Sequence, residues 1–280
     1  MDTTDSIVPT DAKQQISNVE QFHYHEEAKI ALVLASEVGE ILRQNAGLLH
    51  DRTAKGRTNF KIELDDRIDE LARERLGEAF PDYAIRSEEA DPKETDSECE
   101  WIIDPIDGTL PYTFGYSDHT ALSVCLAEKG DPKLGVLEVA LQHATYVAEV
   151  GHGAFRNNEA IRVSNTSELN DAIIGIDYGK DNREQMLPLM QRLLSPDGIT
   201  YPVTFGGTAA SLVLVADGRL DGYCSLNIEP WDAAAGAVIC AEAGATVTNA
   251  QGEPWSLGDT SILVANATLH PQLLQLAHAT

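Results

Sequence analysis

The sequence predicts a mixed fold, with an α+β first half and an α/β second half, and three observations support this prediction. Apolar residues recur at helical spacing over 21–45 and again over 65–80. Strand-like runs then follow one another over 120–150, as in a meander. Beyond about residue 164, strand-like and helical runs alternate, which is typical of an α/β unit.

The first half is predicted to contain two amphipathic helices and a set of short strands. Ala28, Leu32 and Val38 share one stripe of the first helix, and Pro81 ends the second. The predicted strands are short apolar runs at 83–86, 101–103, 120–127 and 133–150, with a turn-rich hairpin at 151–155. A further helix is expected to start near Thr109.

The second half alternates between the two kinds of element. Strands are predicted at 172–177, 201–204 and 220–225, and helices at 183–194, 208–216 and 232–243. Gly244 is expected to end the last helix. We expect the chain to divide into a flexible acidic tail over 1–20, an N-terminal α+β domain over 21–165 and a C-terminal α/β domain over 166–280.

Length and composition are those of a soluble globular protein. The chain has 280 residues, of which 43% are hydrophobic, enough for one large domain or two smaller ones. No apolar stretch reaches the length of a membrane span and the N-terminus has no apolar signal core, so a cytoplasmic location is expected. The 4 cysteines are widely spaced and are expected to be free thiols.

Acidic residues dominate the charge of the chain. The 45 Asp and Glu against 20 Lys and Arg give a formal net charge of −25. This charge argues against nucleic acid and against membranes as partners, because both are bound through basic patches. A single site uses only a few carboxylates, so most of the excess is expected on the surface. We therefore hypothesise that the protein works at high ionic strength, where salt screens the repulsion.

The segment Asp104-Pro105-Ile106-Asp107-Gly108-Thr109 carries the clearest chemical signal. It follows an apolar run at 101–103, which predicts that Asp104 ends a buried strand. Asp107 follows on the emerging turn, where Gly108 permits unusual backbone angles and the close approach of a ligand. Mg²⁺ prefers carboxylate and carbonyl oxygens, so this turn predicts a magnesium-assisted reaction at phosphate.

Three further acidic residues are candidate partners of this turn. Asp65 opens the second predicted helix, Glu88 ends a predicted strand, and Asp232 lies in the first turn of the alanine-rich helix. Each has a simpler explanation in isolation. Asp65 and Asp232 could cap their helices, Glu88 could be a surface acid, and the aspartates of the turn could brace it. Their joint occurrence in this order favours a shared site.

Together these motifs resemble those of the inositol monophosphatase family, the Mg²⁺-dependent and often lithium-sensitive phosphatases of sugars and cyclitols. The segments 104–109 and 231–236 (Trp-Asp-Ala-Ala-Ala-Gly) match its two signatures, Glu88-Glu89 its acidic pair and Asp65 its upstream aspartate. The resemblance covers roughly residues 25–275. It implies a layered α-β-α-β-α sandwich of the sugar phosphatase type, with the site between the two halves, and a homodimer.

The resemblance also implies a metal site for two or three Mg²⁺ ions. The implied ligands are oxygens of Asp65, Glu88, Asp104, Ile106 (through its backbone carbonyl), Asp107 and Asp232. Asp104 is expected to contact both of the first two ions, and a third, weaker ion is expected near Glu88 and Asp65. Mn²⁺ is expected to substitute for Mg²⁺, and Li⁺ and Ca²⁺ to inhibit. Without metal these carboxylates would repel one another in a cleft of reduced dielectric, so metal binding is expected to depend on pH.

The implied reaction is hydrolysis of a small phosphate monoester by direct in-line attack of metal-activated water, without a covalent phosphoenzyme. Asp65, Thr109 and Glu88 are the implied catalytic residues, and Thr109 and Asp65 are expected to orient the water and take its proton. The implied substrate contacts come from Asp107, Gly108, Thr109, Gly207, Thr208, Ser225 and Asp232.

Ser225 departs from the family pattern, and this bears on the substrate. It lies seven residues before Asp232, where inositol-type members carry a glutamate that accepts hydrogen bonds from substrate hydroxyls. Serine is shorter and neutral, so cyclitol, sugar and histidinol phosphates all stay open as substrates. The basic residues Lys55, Arg57, Arg156 and Arg183 are interpreted as surface charges, which gives little support for a bisphosphate or a nucleotide.

Two alternatives to the enzyme stay open at this point. The chain could be a non-catalytic family member that regulates by binding protein or RNA, although the complete ligand set and the acidic surface argue against this. The acids could also form a structural cluster that binds Ca²⁺.

Overall fold

The computed structural model describes residues 16–48, 50–56, 60–179 and 183–278. Its α-helices are α1 (His25–Asn45), α2 (Glu63–Ala79), α3 (Thr109–Phe114), α4 (Met186–Leu193), α5 (Thr208–Ala216), α6 (Pro230–Glu242) and α7 (His270–His278). Its strands are β1 (Arg52–Ala54), β2 (Phe60–Ile62), β3 (Ala84–Ser87), β4 (Cys99–Asp107), β5 (Ala121–Glu128), β6 (Asp131–Val139), β7 (Ala144–Glu149), β8 (Ala154–Arg156), β9 (Glu159–Ala160), β10 (Ile173–Asp177), β11 (Tyr201–Val203), β12 (Gly222–Ser225), β13 (Ala245–Thr248) and β14 (Ile262–Asn266).

The predicted helices and most predicted strands are present, with two differences in the first half. The strand predicted over 133–150 is two strands, β6 and β7. A 3₁₀ turn at Ala140–Gln142 and a left-handed His143 (φ +51°) reverse the chain between them. Residues 1–15 of the predicted tail lie outside the described residues, whereas Ile16–Gln21 form a 3₁₀ helix in which Val19 is buried.

Six of the α-helices and strands described have no counterpart in the sequence prediction: β1, β2, β9, β13, β14 and α7. Several of them are too short or too exposed to show a periodic apolar pattern. Every residue of β1 is exposed, for example, and β9 has 2 residues, both exposed. Hydrophobic periodicity is the main local signal of secondary structure, so such elements are found only when their tertiary partners are known.

The larger sheet has seven strands in the order β3-β4-β5-β6-β7-β8-β9. Strand β3 is parallel to β4, and every later neighbour in this sheet is antiparallel. The smaller sheet has five strands in the order β11-β10-β12-β14-β13, where β10 is parallel to both β11 and β12. Strands β1 and β2 form a separate hairpin.

The side chains of β4 alternate between two cores, because successive residues of a strand point to opposite faces of the sheet. Trp101 and Ile103 pack with Leu32 of α1 and Ile68 of α2, so these helices cover the outer face of the larger sheet. Ile102, between them, packs in a second core on the opposite face.

That second core lies between the two sheets. It contains the residues of α5 and α6 together with Tyr223 of β12 and Val264 of β14. The neighbouring residues Cys224 and Leu263 point to the other face of the smaller sheet, where they pack with α4 and α7. The order of layers is therefore helices, sheet, helices, sheet, helices, which confirms the predicted α-β-α-β-α sandwich.

The four cysteines are free thiols; Cys99 is half-buried and the other three are buried. Among the described residues, the helices fall short of the length and apolar character that crossing a bilayer would require.

Candidate metal and phosphate site

The parallel strands β3 and β4 place Glu88 and Asp104, the first two acidic residues of the site, at one edge of the larger sheet. Strands β3 and β4 run in parallel with Ser87 opposite Ile103, so their next residues emerge at the same edge. The backbone N–H of Glu88 donates a 3.2 Å hydrogen bond to the carbonyl of Ile103 and continues this pairing. Asp104 follows Ile103 directly, which places Glu88 and Asp104 side by side.

The geometry of the turn after Asp104 comes from a break in the pairing of β4 with β5. Strand β4 continues to Asp107, so the prediction that Asp104 ends the strand is wrong, but its register with β5 shifts between Asp104 and Asp107. Oδ1 of Asp104 accepts a 3.0 Å hydrogen bond from the N–H of Ile106 within this irregularity. Gly108 then has φ +82°, and a Cβ there would lie 3.0 Å from the carbonyl oxygen of His119.

Asp65 and Asp232 occupy equivalent places, each in the first turn of a helix. The N–H of Ile62 donates to Oδ2 of Asp65 at 2.7 Å, and the N–H of Glu229 donates to Oδ2 of Asp232 at 2.8 Å. The simple explanation that these residues cap their helices is therefore correct. It does not exclude a second role, because capping engages only one oxygen of each carboxylate.

Three of the predicted metal ligands form one group. Glu88, Asp104 and Asp232 each offer a carboxylate oxygen, and these oxygens all lie within 4.8 Å of one another. Glu88 is half-buried and the two aspartates are buried. Residues separated by up to 144 positions (88 to 232) thus meet in one place.

Asp107 lies beside this group but contacts the N-terminus of α5. Its Oδ1 accepts a 2.9 Å hydrogen bond from the N–H of Thr208, and its Oδ2 accepts a 3.0 Å bond from the N–H of Ala210. A Cβ on Gly207 would lie 2.7 Å from Oδ2, so glycine is needed for this approach. Burial raises the pKa of Asp107 and the charge of Asp232 raises it further, while the two N–H groups oppose the shift.

Asp65 faces Thr109 on the other side of the group. The Thr109 hydroxyl lies 3.2 Å from Oδ1 of Asp65 and 2.9 Å from the carbonyl of Ile106, the predicted backbone ligand. Burial raises the pKa of Asp65 to about 7, the hydrogen bond from Ile62 opposes this, and the charges of two nearby glutamates add to it. A half-buried hydroxyl is thus placed next to a carboxyl group whose pKa is raised to about 7.

The predicted substrate residues of the second half are mostly buried. Thr208 is 7% exposed, and its hydroxyl lies 3.0 Å from that of Tyr223. Ser225 is fully buried, and its Oγ lies 3.4–3.5 Å from backbone atoms of Asn227. Direct contact between the Ser225 side chain and a substrate stays a prediction that this buried position does not favour.

Two lysines of the β1–β2 region reach the acidic residues at the end of β3. Lys55 lies 3.3 Å from Glu88 and also pairs with Glu89, and Lys61 lies 3.8 Å from Glu89. Lys55 is exposed, as expected of a surface charge, but it also pairs with acidic residues of the candidate site. No local pattern in the sequence signals this contact, because the hairpin that carries Lys55 was not predicted and 33 residues separate it from Glu88.

Of the other basic candidates, Arg57 lies outside the described residues, and Arg156 and Arg183 make contacts elsewhere. Arg156 lies 3.9 Å from Asp217, and Arg183 donates a 3.1 Å hydrogen bond to the carbonyl of Gly179. Asp177 is a site residue that the sequence analysis missed. It ends β10, and its charge contributes to the raised pKa of Asp107.

The donor set fits a hard divalent cation such as Mg²⁺. The group of three offers carboxylate oxygens only, which are ligands that Mg²⁺ prefers. Buried carboxylates that raise one another's pKa are destabilised by their mutual repulsion, and a cation between them would offset it. Glu88, Asp104 and Asp232 are therefore the residues that could hold a metal ion together. Asp107 and Asp65 lie near enough to them for the charges of Asp232 and Glu88 to raise their pKa values.

Comparison with known proteins identifies the family of this chain. A model of the inositol monophosphatase family matches residues 23–280. A putative Nus factor SuhB of Neisseria meningitidis serogroup B is 36% identical over 265 residues, which cover 89% of this chain and 97% of that protein. A fructose-1,6-bisphosphatase/inositol-1-monophosphatase of Aquifex aeolicus is 32% identical over 260 residues, which cover 91% of this chain and 95% of that protein.

Solved structures share the same architecture. The extragenic suppressor protein suhB of Bartonella henselae has a TM-score of 0.86 at 26% identity, covering 90% of this chain and 98% of that one. The IMPase of Thermotoga maritima has a TM-score of 0.79 at 27% identity, covering 87% and 93%. The resemblance inferred from the acidic motifs is confirmed, and the chain belongs to the inositol monophosphatase family.

Proposed function

We propose that this protein hydrolyses a small phosphate monoester, with Mg²⁺ as its cofactor and water as the nucleophile. The observation that carries the proposal is the group formed by Glu88, Asp104 and Asp232, whose oxygens lie within 4.8 Å of one another. Relatives named as phosphatases support it, because they align over most of the chain at 30–32% identity.

Glu88, Asp104 and Asp232 would hold a metal ion jointly, and Asp107 and the carbonyl of Ile106 are the further ligands we propose. When bound, Mg²⁺ supplies positive charge to the phosphoryl oxygens and lowers the pKa of a nearby water. The charge of these side chains is what retains the cation, and their attachment to separate strands and helices fixes its place.

Thr109 and Asp65 provide the proton path. The Thr109 hydroxyl donates toward Oδ1 of Asp65 at 3.2 Å, while Oδ2 of Asp65 is held by the N–H of Ile62. This arrangement keeps one carboxylate oxygen directed at the hydroxyl. A water placed next to Thr109 could pass its proton to the hydroxyl and onward to Asp65, whose pKa of about 7 suits a general base.

Helix N-termini support phosphate binding at the same place. Helices α5 and α6 both begin at the site, with Thr208 and Asp232 in their first turns. The N-terminal ends of helices carry partial positive charge and favour anions. Gly207 and Gly108 keep the backbone open to close approach, and we propose both as substrate contacts alongside Thr109 and Thr208.

A phosphate-release assay tests the proposal. Wild-type protein should release phosphate from one or more of cyclitol, sugar and histidinol phosphates with Mg²⁺, and EDTA should abolish the release. Asp232→Asn should lower the rate at least about 100-fold, because one member of the group of three is neutralised. Equal, near-zero phosphate release by wild type and variant across the panel would contradict the proposed phosphatase activity. The same assay with Ca²⁺ in place of Mg²⁺ tests the alternative of a structural Ca²⁺ cluster. Loss of activity on this replacement would argue against that alternative.

The second candidate function is a regulator that binds protein or RNA. It is favoured by the name of the relative at 36% identity, a putative Nus factor SuhB. The net charge of −25 argues against RNA, so the exclusion of nucleic acid stays a prediction. A gel-shift titration with RNA at two salt concentrations tests it directly. Retarded RNA would contradict the charge argument.

The remaining expectations also stay predictions. We propose a homodimer, a cytoplasmic location and a division of the chain near residue 165. Sedimentation velocity tests the oligomeric state, and limited proteolysis near 160–170 tests the division.

A further inference from the structure

We propose that Asp177 fixes substrate specificity by accepting hydrogen bonds from the hydroxyl groups of a polyol leaving group, such as a cyclitol or a sugar. The proposal rests on the phosphatase function proposed above and adds the residue that recognises the alcohol portion of the ester.

Asp177 ends β10 directly beside the end of β12. These strands are parallel, and Asp177 is paired with Ser225. Ligands of α/β sheets bind outside the carboxyl ends of parallel strands, so both residues lie where a bound molecule is expected. From Ser225 the chain runs to α6, whose first turn carries Asp232 of the metal group.

The two paired residues differ in what they can offer. Ser225 is fully buried, whereas Asp177 is half-buried and the next residue, Tyr178, is 40% exposed. A carboxylate is an acceptor with two oxygens, so it can receive hydrogen bonds from two neighbouring hydroxyls. Of this pair, Asp177 is therefore the residue suited to contact a polyhydroxyl group.

Local structure holds the Asp177 side chain on the inner face of the smaller sheet. The N–H of Gly179 donates a 3.2 Å hydrogen bond to Oδ1 of Asp177, which fixes the carboxylate within a tight turn. Successive residues of a strand point to opposite faces, and Ile176, the residue before Asp177, packs in the outer core with α4 and α7. Asp177 therefore points to the opposite face, toward the layer that contains α5 and α6. Burial and the charge of Asp177 both raise the pKa of the Tyr116 hydroxyl, which is consistent with Tyr116 lying nearby.

Aromatic surface lies next to this carboxylate. Tyr116 is 59% exposed, and a Cβ on Gly206 would lie 3.4 Å from its hydroxyl, which places Tyr116 against the loop that leads into α5. Tyrosine offers an apolar ring face with a polar tip, and such groups beside a few placed acceptors are typical of small-molecule sites.

The test compares Asp177→Asn with wild type on three classes of ester at saturating MgCl₂. The probes are the best polyol phosphate among myo-inositol 1-phosphate and glucose 1-phosphate, the aryl ester p-nitrophenyl phosphate, and phosphoethanolamine. Asparagine keeps an acceptor for the N–H of Gly179 but removes the charge. We expect the ratio of kcat/KM for the polyol to that for the aryl ester to fall roughly ten- to hundredfold, mainly through KM. Asp171→Asn, at the other end of the same segment, is the matched control and should shift this ratio less than about twofold.

Each other outcome overturns the proposal. If wild type cleaves the esters and Asp177→Asn slows polyol and aryl substrates equally, Asp177 does not read the alcohol. If the largest loss falls on phosphoethanolamine, the carboxylate serves an ammonium group instead. If wild type cleaves none of the three but cleaves histidinol phosphate, the polyol assignment is wrong. If it cleaves no ester of the whole panel, the phosphatase function itself fails, which is a distinct result. Should the variant not fold, monodeoxy analogues of the best polyol phosphate provide the measurement, and unchanged kcat/KM for all of them with wild type would contradict the proposal.

Discussion

The backbone N–H of Thr208 donates a 2.9 Å hydrogen bond to the Asp107 carboxylate across 101 residues of chain. The second oxygen of this carboxylate accepts the N–H of Ala210. The turn after β4 and the helix α5 are thus joined at the candidate site, so the first half of the chain positions the second there.

Asp107→Asn should lower kcat/KM for phosphate release by at least about 100-fold, because it removes a charge beside the group of Glu88, Asp104 and Asp232. Each oxygen of the Asp107 carboxylate accepts a hydrogen bond from a backbone N–H of α5. In the variant the NH₂ group would face one of these N–H donors, and that hydrogen bond would be lost. Stopped assays with Mg²⁺ measure the activity. Asp131→Asn, whose side chain is 76% exposed, should retain wild-type rates; similar losses in both variants would contradict the assignment.

Thr109→Val should reduce kcat by about 100-fold with little change in KM, because it removes the hydroxyl between Asp65 and the Ile106 carbonyl while keeping the side-chain shape. Thr109→Ser keeps the hydroxyl and should stay within about tenfold of wild type. Steady-state kinetics on both variants distinguish a proton path from simple packing. Equal kcat in the valine and serine variants would argue against the path.

Metal binding should release protons near neutral pH. In the metal-free protein, burial raises the pKa of Asp65 to about 7 and holds that of Asp107 above its ordinary range. Below these values the carboxyl groups are protonated and must lose the proton to accept a cation, so Mg²⁺ affinity should rise from about pH 6 to about pH 8 and then level off.

Calorimetric titration of Mg²⁺ in two buffers of different ionisation enthalpy measures the released protons. Asp65→Asn removes one of the titrating groups and should release fewer. Identical heats in the two buffers at neutral pH would show that these carboxyl groups are already ionised and would contradict the prediction.

Gly135→Ala should destabilise the fold. A Cβ on Gly135 of β6 would collide with the carbonyl oxygen of Ala235 in α6, and backbone on both sides leaves little room to adjust. We expect a loss of about 1–3 kcal/mol in the free energy of unfolding. Gly77→Ala is the matched control, because its Cβ would lie 3.8 Å from Ile85 within a helix and should stabilise by about 0.5–1 kcal/mol. Urea unfolding of both variants checks the opposite signs.

Added salt should raise the melting temperature. The net charge of −25 makes the folded chain repel itself, and salt screens exposed charges. The Debye length falls from about 10 Å at 0.1 M to about 3 Å at 1 M, so most of the rise should come below about 1 M KCl. A melting temperature or an activity that falls steadily from low to molar salt would contradict the hypothesis of a high-salt working environment.

The sequence was informative wherever a local pattern reports on its own environment. The helical stripes of α1 and α2 and the strand–helix alternation of the second half predicted the layers, because burial imposes periods of 3.6 and 2 on apolar residues. The acidic motifs at 104–109 and 231–236 predicted the family. The helix positions of Asp65 and Asp232 were also readable, since capping is a local interaction.

Contacts between distant segments were decided only by the tertiary structure. No local period encodes the approach of Lys55 to Glu88 or the bonds from α5 to Asp107. The burial of Ser225 beside the half-buried Asp177 depends on which strands become neighbours in the smaller sheet. By itself, the sequence determined which carboxylates are available and which elements carry them. The packing of two sheets around α5 and α6 decided which of them meet, because a site between layers exists only once the layers have assembled.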